Sequence, residues 1–250
     1  MTEFNKSQWT KPEFSQEYRD SADVYIVERK RLLEILKSFY KHFIGNKPNN
    51  NILDLGCGDG IVIYELLKID DSIEATLIDG SEDMLNKAKD RLKESENLHF
   101  IQASFQEIIN KNIDLQRHDF IISSLAIHHL TMEEKTALFK TIYSHLNVDG
   151  YFLNIDVILA PSDALEQWYL LLWKQWIDEK NHWGGLRTII MTTLLGDIIT
   201  MKTSLTLWPH NSMHCRLLAL RMLIVSINME YLQCMEEKIK VNKPLVRTGI

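Results

Sequence analysis

Seven consecutive residues, Asp54-Leu55-Gly56-Cys57-Gly58-Asp59-Gly60, carry the strongest chemical signal in the sequence. Glycines at alternate positions allow a tight turn and a close approach of backbone to ligand, just where a helix starting at Ile61 would present free amides. Asp79 follows Asp54 by 25 residues, at the end of the next expected strand, where a carboxylate accepts both hydroxyls of an adenosine ribose. Loop and acid together predict a nucleotide-type cofactor site. The dinucleotide fingerprint G-x-G-x-x-G would need glycine at Ile61, which disfavours a nucleotide-dependent oxidoreductase.

A loop of this kind works only between a strand and a helix, and the surrounding pattern supplies both. Asn51 to Leu55 reads as a short buried strand, Ile61 to Ile69 as a helix, and Glu74 to Asp79 as a second strand. Ser81 then caps a helix running to about Glu94. Leu98 to Ala103 and His118 to Leu125 are two further strands. Thr131 with Glu134 makes a capping box for a helix to Leu146, and Val148-Asp149-Gly150 turns into a fifth strand, Tyr151 to Leu159. Strands alternating with helices predict an α/β fold, a doubly wound and mostly parallel Rossmann-like sheet with ligands at the strand C-terminal ends. Ahead of it, apolar residues at helical spacing from Gln16 to Phe43 predict one amphipathic helix.

The chain has 250 residues, 45% apolar and 25% charged, which suits one decorated globular domain. We divide it into an N-terminal helical cap (1–50), a cofactor-binding core (51–160), a helical lid (161–185) and an atypical tail (186–250). The net charge of −6 gives no basic footprint for nucleic acid. Cys57, Cys215 and Cys234 lack disulfide or metal spacing, so a reducing cytoplasm fits and no metal is expected. The charged N-terminus carries no signal peptide, and no stretch is long and apolar enough for a membrane span. Nothing specifies an oligomeric state.

Asp54-x-Gly56-x-Gly58-x-Gly60 resembles motif I of class I S-adenosylmethionine-dependent methyltransferases, and the similarity extends from about Tyr18 to Leu159. The resemblance implies that Asp54, Gly56, Cys57, Gly58 and Gly60 meet the methionine part of S-adenosylmethionine. It places Asp79 and Gly80 at the ribose and Met84 at the adenine. Ala103, Ser104 and Phe105 stand where such families commonly carry an aspartate near the adenine, so Ser104 would offer a weaker hydrogen bond. Ser123 lies in the segment after strand four, and Tyr18 and Arg19 resemble the N-terminal elements that close over the cofactor. The implied reaction is methyl transfer to an unidentified small-molecule acceptor. Its demand is to align a nucleophile with the sulfonium methyl and exclude water. His128 or His129 is the candidate general base, since imidazole titrates near neutral pH; packing or loop ordering is the alternative role for both.

Leu165, Trp168, Tyr169, Leu172 and Trp176 form a helical apolar stripe, with Trp173 and Trp183 nearby. Core packing and a water-excluding lid both fit this stripe.

The tail does not fit the family. Methyltransferases of this class normally end in two antiparallel strands, often after a phrase like A-G-F-x-x-V, and nothing beyond Gly185 reads so. Through Gly185 there are 20 basic and 30 acidic residues, and from Leu186 onward 8 and 4. Translated in an offset frame with suitable synonymous codons, Asn211 to Lys238 spell N-A-L-P-F-A-G-F-A-D-V-D-C-Q-Y-K-Y-G-I-F-A-M-Y-G-G-K, with a stop at Ile239. This resembles the missing ending, so the final antiparallel strands are expected to be missing or altered. A remnant that binds cofactor without turnover is the corresponding alternative.

Overall fold

The computed structural model describes residues 4–110, 113–157, 160, 162–181 and 222–228. Its strands are β1 (Asn51–Leu55), β2 (Glu74–Asp79), β3 (Leu98–Gln102), β4 (His118–Ser124), β5 (Leu146–Val157) and β6 (Met222–Asn228), in sheet order β3-β2-β1-β4-β5-β6. The first five pair in parallel and β6 runs antiparallel to β5. The order reverses direction between β1 and β4. In such open sheets the crevice at the strand C-terminal ends beside this reversal is the binding place.

The helices are α1 (Pro12–Tyr25), α2 (Arg29–Phe43), α3 (Ile61–Leu67), α4 (Glu82–Arg91), α5 (Phe105–Ile109), α6 (Met132–Ser144) and α7 (Asp163–Asn181). Strand side chains alternate between two cores, as the period of two requires. On one face Ile52, Leu77, Phe120 and Leu153 pack against Leu36 and Tyr40 of α2 and Ile63 and Leu66 of α3. On the other, Leu53, Leu55, Ile121 and Phe152 pack against Leu138 and Ile142 of α6. Both faces of β1 and β4 are therefore buried, which is why these strands read as nearly continuous apolar runs.

Two expectations change, and a third observation bears on the ending. The single N-terminal helix is two, because the chain turns at Ile26–Glu28, with Glu28 left-handed at φ 53°. The break lets α2 lie on the sheet while α1 crosses the strand ends. The fifth strand begins at Leu146 rather than Tyr151: Asp149 adopts φ 63°, and the β4–β5 register shifts between His118 and Phe120, so the anticipated turn is an irregularity inside one strand. Finally, the edge of β5 is covered. Tyr151 to Val157 pair with Asn228 to Met222, so one antiparallel strand is present where the ending was expected to be missing or altered. The offset reading otherwise falls outside the described residues. So does Trp183.

Helix α7 docks through its indoles: Trp173 Nε1 donates to the Tyr25 carbonyl at 3.0 Å and Trp176 Nε1 to that of Val24 at 2.9 Å. These carbonyls belong to the last turn of α1 and have no helical partner, so the bonds satisfy groups that need one. Ile177 is buried, whereas Leu165, Trp168 and Leu171 are exposed.

Candidate functional site

A cavity of about 840 Å³ opens at the C-terminal ends of β1, β2 and β4. Its floor is the glycine loop. Gly56, Gly58 and Gly60 have φ of 71°, 54° and 75°, a region that L side chains rarely adopt. At Gly58 a Cβ would meet nothing within 4 Å, so the backbone faces open space there. At Gly56 it would stand 2.5 Å from the Ala126 Cβ, so this glycine permits the β4 connection to cross the loop. Gly60 caps α3 and packs on Ala88 of α4 and on Leu92 just after it, outside the cavity lining.

The acids differ sharply in partners. Asp79 is fixed from both sides: Oδ2 accepts from the Gly58 amide at 2.9 Å and Oδ1 from that of Ser81 at 2.8 Å. Each oxygen keeps a lone pair for a further donor. Asp54 is 1% exposed and neither of its carboxylate oxygens has a hydrogen-bond partner among the described residues. Burial, with the charges of Asp79 and Asp59 beside it, pushes its pKa up to about 8. Burial raises Asp79 too, although its two amide donors oppose the shift. An unpartnered buried carboxylate costs several kcal/mol if ionised, a cost that a donor or cation brought by a ligand would relieve.

The other expected residues fall into two groups. Tyr18, Arg19, Cys57, Gly80, Met84, Ala103, Ser104, Phe105 and His129 line the cavity with Asp54, Gly56, Gly58 and Asp79. Gly60, Ser123 and His128 do not. Ser123 is fully buried and its Oγ donates to the Leu55 carbonyl at 2.7 Å, bracing β4 against β1; Ser124 lines the cavity instead. His128 is tied through Nδ1 to the buried Asp156 carboxylate at 2.5 Å. His129 Nε2 accepts the indole N–H of Trp9 at 3.2 Å. Because an indole only donates, Nε2 is the acceptor and the neutral ring holds its proton on Nδ1. Burial, then the neighbouring His128 and Lys135, hold the His129 pKa well below the ordinary histidine value.

Residues 4–10 and helix α1 form the roof, which the sequence reading largely missed. The Phe4 ring sits where any side chain at Gly80 would have to go, at 2.5–2.8 Å from an added Cβ. Trp9 makes edge contacts with Phe14, Tyr18 and His129. Arg19 pairs with Asp83 at 2.5 Å beside Met84, tying α1 to α4. Asp59 and Arg29 also line the cavity. Helix α5 was missed too, although Ser104 and Glu107 form a capping box that the Ser-x-x-Glu spacing announces.

Residues 52–150 match the family model described as a methyltransferase domain. This chain carries a class I methyltransferase domain. Among proteins similar to it, a malonyl-[acyl-carrier protein] O-methyltransferase of Ilyobacter polytropus is 31% identical over 128 residues, 51% of this chain and 44% of its own length. A carboxy-S-adenosyl-L-methionine synthase of Nautilia profundicola is 25% identical over 169 residues, 66% and 69% respectively. The structure of an O-methyltransferase family protein from Burkholderia thailandensis superposes with a TM-score of 0.53 at 12% identity, covering 67% of this chain and 49% of that one, a likeness of fold. The chain thus spans less than half the length of the first of these relatives. The matched methyltransferase domain contains the glycine loop, Asp79 and both histidines, while Tyr18, Arg19 and the whole roof lie before it. No helix among the described residues is long and apolar enough to cross a membrane.

Proposed function

We propose that this protein is a cytoplasmic S-adenosylmethionine-dependent methyltransferase acting on a small-molecule acceptor. The observation that carries the reading is Asp54, a buried carboxylate with both oxygens unpartnered among the described residues, beside a glycine loop whose Gly58 faces open space. A cofactor bearing an ammonium and a sulfonium meets the need of that acid. Bound, it supplies an electrophilic methyl group.

The chain's own residues do the rest. Asp54 accepts from the ammonium, and the loop from Gly56 to Gly60, with Cys57 inside it, gives the backbone close access. Asp79, prealigned by the Gly58 and Ser81 amides, accepts from the ribose hydroxyls. Gly80, Met84, Ala103, Ser104 and Phe105 flank the adenine, with Ser123 holding β4 in place behind them. Tyr18, Arg19, Phe4 and Trp9 exclude water from above. His129 stands in the cavity wall as a neutral ring, and His128, beside it but outside the lining and held by Asp156, acts as a positioning group. In this division residues 1–50 are the cap, 51–160 the cofactor core and 161–185 a brace or lid on α1.

Calorimetric titration with S-adenosylmethionine and S-adenosylhomocysteine, with NADH as control, tests the reading. Binding of both sulfur compounds, weakened in Asp79→Ala, is expected; NADH binding without them would overturn it. The offset ending is a separate proposal, tested by reading the encoding DNA around Gly185. Binding without turnover that is restored on correcting the frame would mark this chain as a remnant.

A further inference from the structure

Charge in the cavity is segregated. Its three carboxylates, Asp54, Asp59 and Asp79, all come from β1, β2 and the loop that follows β1, whereas its three cations, Lys6, Arg19 and Arg29, all come from the N-terminal layer. Asp59 is answered by Arg91 and Arg19 by Asp83. Arg29 is different. It makes one 2.8 Å bond, from Nη1 to an Asp23 carboxylate that is 86% exposed, and the rest of its donor fork has no partner among the described residues. An ion pair to so exposed a carboxylate is worth little and yields readily to a better-placed anion.

The groups near Arg29 are donors. The Tyr18 hydroxyl has no hydrogen-bond partner among the described residues, and burial raises its pKa to about 12, so it stays protonated. The Arg29 charge acts on it directly, against Asp59 and Asp156. His129, with Nε2 occupied by Trp9, has only an N–H to offer, and its low proton affinity makes it a poor base. His128 is outside the lining and held by Asp156. Apolar Ile26 and Leu33 complete this side. Among the described residues this N-terminal wall offers donors and no free base, which suits a nucleophile that is already an anion better than an alcohol or a protonated amine.

Resting on the cofactor reading above, we propose that the acceptor is a carboxylate attached to an apolar body, held by Arg29 and the Tyr18 hydroxyl on the N-terminal wall. A lone pair of the carboxylate oxygen forms the new O–CH3 bond as the S–CH3 bond breaks and its electrons stay on sulfur. The products are a neutral methyl ester and a thioether, and no proton changes hands. Arg29 holds the anion in line, and loss of charge on methylation weakens its grip on the product.

The competing claim on Arg29 is the cofactor's own carboxylate, and the test separates the two. Saturation-transfer NMR on the S-adenosylhomocysteine complex would compare hexanoate and benzoate with hexanamide and benzamide, alongside mass spectrometry for methyl hexanoate and methyl benzoate in the presence of S-adenosylmethionine. Expected are binding of the carboxylates at least about tenfold tighter than the amides, a loss of about tenfold or more in Arg29→Ala, partial recovery in Arg29→Lys, and S-adenosylhomocysteine affinity retained within about threefold. Arg29→Gln repeats the test should the alanine form melt early. Amides binding as well as carboxylates, carboxylates not binding at all, or a larger loss of S-adenosylhomocysteine affinity in Arg29→Ala would each overturn the proposal while leaving the cofactor reading intact. Failure of the wild-type protein to bind S-adenosylhomocysteine would overturn both.

Discussion

The glycine-loop wall and the N-terminal wall face each other across one cavity, yet they are held in different ways. The first is backbone: three left-handed glycines, two amides on Asp79, and strands buried on both faces. The second is side chains: a Trp9–His129 hydrogen bond, an Arg19–Asp83 ion pair and edge contacts between rings. Backbone constraints of the first kind fail all at once when violated, whereas contacts of the second kind are lost one at a time and cost about 1 kcal/mol each. The cofactor half should therefore behave as rigid and the roof as adjustable, which suits a site that must hold one ligand and admit another.

Gly56→Ala is the most damaging way to break that contrast. A left-handed φ costs a non-glycine residue about 1–2 kcal/mol. The new Cβ would also stand 2.5 Å from Ala126, and overpacking adds about 1–3 kcal/mol. Loss of roughly 2–5 kcal/mol of stability in chemical denaturation is expected. The same change at Gly58, where nothing lies within 4 Å, should cost only the conformational part in the free protein. Equal losses at the two positions would mean that the loop is not braced by the β4 connection.

Asp79→Ala comes next. It removes the acceptor of two amides that shape the loop and the proposed acceptor of the ribose, so S-adenosylhomocysteine affinity should fall about 100-fold by calorimetry. Arg19→Ala, on the opposite wall, should fall by no more than about tenfold, since it loses one partly exposed pair. A larger effect at Arg19 than at Asp79 would reverse the division proposed for the two walls.

Asp54 permits a test by pH. Its folded-state pKa, about 8, lies above its ordinary carboxylate value. A raised acid stabilises the fold while protonated, and that stability is lost as pH rises from the ordinary value toward about 8. The ligand-free protein should lose about 2–3 kcal/mol between pH 5 and pH 7 from this group, and Asp54→Asn should flatten that slope while weakening cofactor binding. An unchanged slope in Asp54→Asn would show that the carboxylate finds a partner in solution.

The two walls also differed in how legible they were. Motif spacing announced Asp54, Asp79 and the glycines because a strand, a tight turn and a helix N-terminus are local, and a few residues determine each. The break at Glu28 was invisible because Val24, Val27 and Leu32 continue one helical period across it; the turn exists to satisfy the sheet below and the strand ends above. Arg29 gave no signal for the same reason, since only tertiary folding brings it to the cavity. The adjacent histidines stood out in the sequence as candidates, but which ring meets Asp156 and which meets Trp9 depends on β5 and on a segment more than a hundred residues earlier. The covering of β5 by Met222–Asn228 was unreadable because that stretch lacks the family's phrase while keeping an apolar run that can pair through backbone alone.

Trp9→Phe is the smallest change and probes the roof alone. It keeps a ring among Phe14, Tyr18 and His129 but removes the indole donor, leaving His129 Nε2 without its hydrogen-bond donor. One neutral hydrogen bond is worth about 1 kcal/mol, so global stability should shift by no more than that, while local opening of residues 7–10 should become about fivefold more frequent in amide exchange. S-adenosylhomocysteine affinity should change by less than about threefold, because the acids proposed to hold the cofactor are on the other wall. A Trp9→Phe protein that lost cofactor binding outright would mean that the N-terminal segment belongs to the rigid half, and the contrast between backbone wall and side-chain roof would fail.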